Sequence, residues 1–101
     1  MNSYFFDTYS FFEVLKGNPS YAKYNDSAIA TTIFHLAELN FCLKKRAEPA
    51  FVDRIVDSYG SCLIEVTLED VKSAMGFKLN HKGMSIPDAI GYVVAKRLGV
   101  L

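Results

Sequence analysis

The sequence predicts an α/β protein with a central parallel sheet, organised as a single domain over residues 1–101. Two observations support this prediction. Short apolar or β-branched segments alternate with segments of helical periodicity, and most of the helical segments begin or end at a recognisable cap. Strands that alternate with helices form βα units, and these build a parallel sheet. The 101 residues are enough for one domain and too few for two.

The first half of the chain contains two predicted βα units. The aromatic run at 3–6 is typical of a strand, and a helix is predicted over 8–16, where Gly17 ends it. A brief helix is predicted from Pro19 to about Tyr24. The small, β-branched run at 27–32 predicts the second strand.

The helix predicted over 33–46 has the clearest helical pattern in the chain. Pro49 opens another predicted helix that ends at Gly60, and the run 62–66 predicts a third strand.

The last quarter of the chain is predicted to be helical. Thr67 to Asp70 forms a capping box that starts a helix reaching Leu79. The final predicted helix runs from the Ser85 cap to Leu98 and stops at Gly99. Val100 and Leu101 then resemble the opening of a further strand, so we expect the domain to be incomplete at its C-terminus.

Composition limits the classes of function. Half of the residues are hydrophobic, and eleven Lys and Arg balance eleven Asp and Glu. A core is therefore expected, and any binding of RNA must depend on a local basic patch. Lys44, Lys45 and Arg46 are a candidate for phosphate contacts, although a solvated helix end is the more typical role of such a run.

Cys42 and Cys62 lie in apolar surroundings without the spacing of a zinc or redox motif. Buried free thiols predict a reducing, cytoplasmic compartment. No signal peptide is recognisable at the N-terminus, and no apolar run approaches the length of a membrane span.

Three acids are singled out by position, since each is expected at one end of the parallel sheet: Asp7 after the first strand, Glu38 two turns into the helix after the second, and Asp88 at the start of the last helix. Clustered carboxylates repel one another and become stable together around a hard cation. Mg²⁺ and Mn²⁺ prefer such oxygen ligands and can activate water for phosphodiester hydrolysis.

Three segments resemble the motifs of PIN-domain ribonucleases, in the same order. Residues 4–9 (YFFDTY) resemble the opening strand and first acid of the family. Residues 31–39 (TTIFHLAEL) resemble the second strand and the helix with the second acid, and 84–95 (MSIPDAIGYVVA) resemble the helix with the third. The resemblance extends over essentially the whole chain and is strongest to the VapC-type toxins.

This resemblance implies a three-layer α/β/α sandwich with a central parallel sheet. It implies cleavage of RNA that depends on Mg²⁺ or Mn²⁺, a homodimer, and inhibition by a cognate antitoxin. Asp7, Glu38 and Asp88 would be the catalytic and metal-binding carboxylates, and Thr8 would support the site through its hydroxyl.

The chain departs from the family at its end. PIN domains continue into another strand and a fourth acidic motif, whereas this sequence stops at Leu101. A second hypothesis is therefore a catalytically impaired, PIN-like interaction module that binds an antitoxin or a partner subunit.

Each candidate residue also has a structural interpretation. Asp7 is a favoured N-cap type, and Asp88 completes a capping box with Ser85. Glu38 is at a position where surface acids are common, although its neighbours are apolar. His35 is spaced three residues from Glu38 but lacks a matching third ligand, so we interpret it as structural or exposed, and His81 as solvated.

The aromatic residues near the N-terminus are the last candidates. They could stack on bases, but core packing is the more typical role, with one or two of them at a dimer or antitoxin groove. They are Tyr4, Phe5, Phe6, Phe11 and Phe12.

Overall fold

The computed structural model describes residues 3–20 and 28–99. In these ranges five α-helices accompany a two-stranded parallel sheet. The elements in chain order are β1 (Ser3–Phe5), α1 (Thr8–Leu15), β2 (Ala28–Ala30), α2 (Ile33–Lys44), α3 (Pro49–Asp57), a 3₁₀ turn (Gly60–Cys62), α4 (Leu68–Leu79) and α5 (Ile86–Leu98).

The predicted three-layer α/β/α sandwich with a central parallel sheet is wrong. The described residues are mostly helical, and their sheet contains only β1 and β2. Most of the predicted short helix at 19–24 lies outside the described residues. The strand opening at Val100–Leu101 lies wholly outside them.

The error arises at the predicted third strand, over 62–66. Its first residue, Cys62, ends the 3₁₀ turn, and Leu63 makes a single parallel bridge with Thr31. The N–H of Thr31 donates to the Cys62 carbonyl at 3.0 Å, and the N–H of Ile64 donates to the Thr31 carbonyl at 2.8 Å. Pairing stops there because Thr32 is already the N-cap of α2. The second strand turns into a helix too early to support a third.

The parallel pairing of the first two strands is confirmed. Tyr4 is in register with Ile29, and Phe5 with Ala30. The pairing extends one step further, since the Phe6 N–H donates to the Ala30 carbonyl at 2.8 Å. The buried hydroxyl of Thr31 donates to the Phe6 carbonyl at 2.8 Å. The carboxyl ends of both strands, and hence the starts of α1 and α2, therefore lie side by side.

The hydrophobic core has two parts. The first joins the residue after β1 to α1 and α2 through the buried side chains Phe6, Phe11, Leu36 and Leu39. The second joins α4 and α5 through Ala74, Ala89, Ile90 and Val94, and Phe5 of β1 packs against it. Phe5 thus belongs to the sheet and contacts the helical hairpin, so the two parts meet near the end of β1.

Several predicted helix ends are confirmed. Thr67 and Asp70 form the reciprocal capping box at the start of α4. Gly99 ends α5 in the left-handed conformation at φ 69°, which glycine adopts without steric cost. The helix opened by Pro49 ends at Asp57, earlier than the predicted Gly60. Within the described ranges, no helix has the length and hydrophobicity needed to cross a bilayer.

Asp70 also connects α4 to α5. Its two carboxylate oxygens accept bonds from Arg97 Nε and a terminal Arg97 nitrogen, both at 2.9 Å, while Arg97 also donates to the Glu65 carbonyl. Arg97 holds the pKa of Asp70 below its usual value of 3.8, and burial acts in the opposite direction. A lowered pKa in the folded state stabilises the fold above about pH 3.8, and this stability is lost as the pH falls through the folded-state pKa.

We expect Asp70→Asn to lower the free energy of unfolding by about 2 kcal/mol at pH 7, since charge-assisted bonds to a buried carboxylate are lost. Urea denaturation at pH 7 and pH 3 measures this, and the difference between the variant and the wild type should shrink at the lower pH. Glu69→Gln, which removes an exposed pair with Lys72, is the control and should cost less than about 1 kcal/mol. Equal losses in the free energy of unfolding for the two variants would show that the Asp70–Arg97 pair stabilises the fold no more than an exposed ion pair does.

Candidate acid and histidine site

Asp7 lies at the point where β1 passes into α1. It is the N-cap of α1, and its Oδ1 accepts bonds from the Ser10 backbone N–H and the Ser10 hydroxyl, both at 2.9 Å. The structural interpretation of Asp7 as a cap is therefore confirmed. Both bonds end on the same oxygen, and the carboxylate is exposed at the rim of a cavity.

Glu38 lies in the second turn of α2 and is partly buried rather than fully solvated. Its Oε1 accepts a bond of 2.5 Å from the hydroxyl of Thr8, the first residue of α1. Thr8 Oγ1 also lies 3.5 Å from the His35 carbonyl. Thr8 therefore fixes the orientation of Glu38 across the interface between α1 and α2.

Asp88 lies in the first turn of α5. Its backbone N–H donates to Ser85 Oγ at 3.2 Å, which is the backbone half of the predicted capping box. Its side chain is exposed and lines the same cavity as Asp7. Parallel pairing of the strands and packing of α5 against α2 thus bring two acids together that are 81 positions apart in sequence, 88 minus 7.

The cavity has a volume of about 410 Å³. Its polar wall consists of Asp7, Asp88 and His35, and the remaining lining is Phe5, Met84, Gly91, Tyr92 and Ala95. Glu38 is not part of this lining. It acts on the site through its charge, because Asp7, Glu38 and Asp88 all interact electrostatically with His35.

His35 lines the cavity with Asp7 and Asp88, and its side chain is fully buried. Its Nδ1 lies 2.7 Å from the Thr32 hydroxyl, and its ring meets the Phe5 ring edge to face at 5.3 Å. The Thr32 oxygen also accepts the His35 backbone N–H at 3.4 Å, so Thr32 holds both the backbone and the ring of His35.

The other ring nitrogen is unusual. Within the described residues, His35 Nε2 is buried and has no hydrogen-bond partner. It faces Gly91 so closely that an added Cβ there would be 2.8 Å away.

Burial lowers the pKa of His35 below its usual value of 6.5. The negative charges of Asp7, Glu38 and Asp88 and the Pro87 backbone oppose this shift. The imidazole is therefore neutral at pH 7, and it does not neutralise the three carboxylates around it. Their charge remains available to attract a cation from solution.

The prediction that His35 is exposed is wrong, because its side chain is fully buried, whereas the structural interpretation agrees with its bond to Thr32. Neither interpretation placed it at the cavity of Asp7 and Asp88. Two signals in the sequence could have identified it. Thr32 precedes His35 by three residues, which is the spacing of an N-cap, and Glu38 follows it by three on the same helical face. His81 is exposed as predicted.

The remaining candidates have structural roles. Lys44 forms an ion pair with Asp53 at 2.9 Å, and Lys45 lies over the Phe41 ring at 4.4 Å. Of the five N-terminal aromatics, Phe6 and Phe11 are buried in the core, as predicted, and the other three are partly buried. Cys42 and Cys62 are free thiols but only partly buried.

A metal site is not ready-made in this arrangement. Over residues 3–20 and 28–99, no group of three or more His, Cys, Asp or Glu side chains is placed to hold a metal ion. The described part of this chain would therefore contact a metal ion directly through at most two of these side chains. Water would complete the coordination of a hard cation.

The chain was compared with family models, curated proteins and solved structures. No family model matches it. Neither a curated protein nor a solved structure matches it either.

Proposed function

We propose that this chain is an endoribonuclease of the VapC toxin type, dependent on Mg²⁺ or Mn²⁺, with Asp7, Glu38 and Asp88 as its metal-site carboxylates. The observation that carries the proposal is that Asp7 and Asp88, from the starts of α1 and α5, line one cavity beside the buried His35. Glu38 lies outside that lining, and Thr8 of α1 orients its carboxylate. The proposal includes an RNA substrate, a homodimer and a cognate antitoxin, as the motif resemblance implies.

The donor chemistry of the cavity fits a hard cation. Mg²⁺ keeps several waters and is commonly bound through one or two carboxylates. Asp7 and Asp88, which share the cavity, would be direct ligands, and Glu38 would act through water. When bound, the ion supplies Lewis-acid chemistry, because it acidifies water and offsets the charge of the phosphodiester.

The other residues of the chain organise this site. Oδ1 of Asp7 is committed to capping α1, which fixes the carboxylate and leaves Oδ2 for the ion. Thr8 holds Glu38 in place. Burial lowers the pKa of His35, so its imidazole does not offset the negative charge of Asp7 and Asp88 in the cavity.

Titration of Mn²⁺ by calorimetry tests the proposal. We expect binding by the wild type and at least about tenfold weaker binding by Asp88→Asn, since one direct ligand is lost. Asp53→Asn, on the exposed surface of α3, is the matched control and should bind like the wild type. Absence of Mn²⁺ binding by the wild type, or equal binding by Asp88→Asn, would reject the metal site.

A second candidate is the interaction module, and one observation favours it. A mainly apolar cavity of about 550 Å³ lies between α2 and the region from α3 to the 3₁₀ turn. Its rim includes Ile33, Phe41 and Leu63, which are 57%, 64% and 38% exposed. We propose that its occupant is an amphipathic antitoxin helix, because its apolar anchors would cover these side chains.

Phe41→Ser separates the two candidates. Loss of antitoxin binding together with absent Mn²⁺ binding by the wild type would establish the interaction module and reject the nuclease. Mn²⁺-dependent hydrolysis that survives Phe41→Ser would establish the nuclease independently of the groove.

A further inference from the structure

Three aromatic rings form a continuous stack beside the acid cavity. The ring centroid of Phe77 in α4 lies 4.0 Å from that of His81, with an angle of 19° between the ring planes. It lies 4.4 Å from the ring centroid of Tyr92 in α5, with an angle of 9°. Two rings this close to one ring, and nearly parallel to it, would overlap each other if they shared a face. His81 and Tyr92 therefore cover opposite faces of Phe77.

One end of the stack borders the cavity of Asp7 and Asp88. His81 Nδ1 lies 2.9 Å from the Phe77 carbonyl, which fixes the far end. Tyr92 is 47% exposed and lines the cavity of Asp7 and Asp88, whereas Phe77 does not line that cavity. Phe77 covers one face of the Tyr92 ring, so a planar ligand in the cavity would stack on the other face of that ring.

A positively charged side chain, Lys96, lies on the same face of α5 as Asp88 and Tyr92. Asp88, Tyr92 and Lys96 are each four residues apart, so they lie on one helical face, at steps of about 6 Å. Lys96 lines a neighbouring cavity with Phe77 and Tyr92. Among the described residues of that cavity, Asp70 is paired with Arg97 and Glu69 with Lys72, so Lys96 contributes its uncompensated positive charge.

From this juxtaposition we propose that Tyr92 is a base-stacking platform and that Lys96 binds the adjacent phosphate, which makes single-stranded RNA the substrate of the acid site. Stacking on an aromatic ring needs a base that has left its own stack, and duplex RNA does not offer one. The carboxylate of Asp88, the ring of Tyr92 and the ammonium group of Lys96 then contact a single RNA strand in that order along α5. This inference rests on the proposed nuclease function, because it assigns the substrate of the same site.

Fluorescence anisotropy with a short, labelled RNA of no self-complementarity tests the platform. The assay contains EDTA, so binding is measured without hydrolysis. We expect Tyr92→Leu to raise the Kd about tenfold and Tyr92→Phe to leave it within about twofold, because phenylalanine keeps the ring. Annealing the RNA to its complement should weaken binding in the wild type and remove the effect of Tyr92→Leu.

Lys96→Gln provides a second variant, on an exposed helix surface where folding is not at risk. We expect weaker binding and a salt dependence whose slope is reduced by about 0.7, the value for one phosphate contact on a single strand. Lys16→Gln, with the same change of charge at the C-terminal end of α1, should bind like the wild type.

Three results would overturn the inference: no RNA binding by the wild type, equal binding by Tyr92→Leu, or equal losses in Tyr92→Leu and Tyr92→Phe. The proposed nuclease function fails separately. RNA that binds through Tyr92 and is not cut with Mn²⁺ would reject the nuclease and keep the platform. RNA that is cut at the same rate by Tyr92→Leu would reject the platform and keep the nuclease.

Discussion

Asp7→Asn is expected to abolish RNA hydrolysis while the fold is retained. Loss of a metal ligand removes several kcal/mol of transition-state stabilisation, which lowers the rate of hydrolysis by a factor of about a thousand or more. Asparagine is as good an N-cap as aspartate, so the bonds from Ser10 can persist. The free energy of unfolding should therefore change by less than about 1 kcal/mol. Hydrolysis of a labelled RNA with Mn²⁺ and urea denaturation measure the two effects.

Asp7→Ala is the informative comparison for this experiment. Alanine removes both the charge and the cap, so this variant should lose activity and also about 1 kcal/mol of stability. A stable Asp7→Asn protein that hydrolyses RNA at the wild-type rate would show that Asp7 is only a cap. Loss of activity in the alanine variant alone would lead to the same conclusion.

Gly91→Ala is expected to destabilise the fold about as much as Asp70→Asn does. A Cβ at this position would lie 2.8 Å from His35 Nε2, 3.0 Å from His35 Cε1 and 3.1 Å from a Phe5 ring carbon. The imidazole cannot move away freely, because it is fully buried and bonded to Thr32. We expect a loss of about 2 kcal/mol in the free energy of unfolding, the usual cost of overpacking a core, measured by urea denaturation.

Gly76→Ala provides a matched control in α4. An added Cβ there meets no atom within 4 Å, so the substitution only improves helix propensity. It should stabilise the protein by about 0.5–1 kcal/mol. Opposite signs for the two substitutions would establish the tight contact between α5 and His35. A stabilising Gly91→Ala would contradict it.

The helices and their ends were largely predictable from the sequence, because caps and turn residues act over a few positions. Asp7, the Thr67–Asp70 box and Gly99 lie where local hydrogen bonding and backbone geometry require them. The segment at 62–66 was not predictable in this way. Its apolar pattern suits a strand, but a strand needs a partner, and the early start of α2 leaves only Thr31 to pair with it.

The candidate site divides in the same manner. The sequence by itself determined which side chains are acids, that Asp7 and Asp88 follow cap signals, and that Asp88, Tyr92 and Lys96 share a helical face, since these depend on residue type and short spacings. Only the tertiary structure decided that His35 is buried beside the cavity of Asp7 and Asp88, and that Phe77 stacks on Tyr92 at that cavity. Those contacts depend on how α4 and α5 pack against the sheet and α2, which spacing along the chain does not encode.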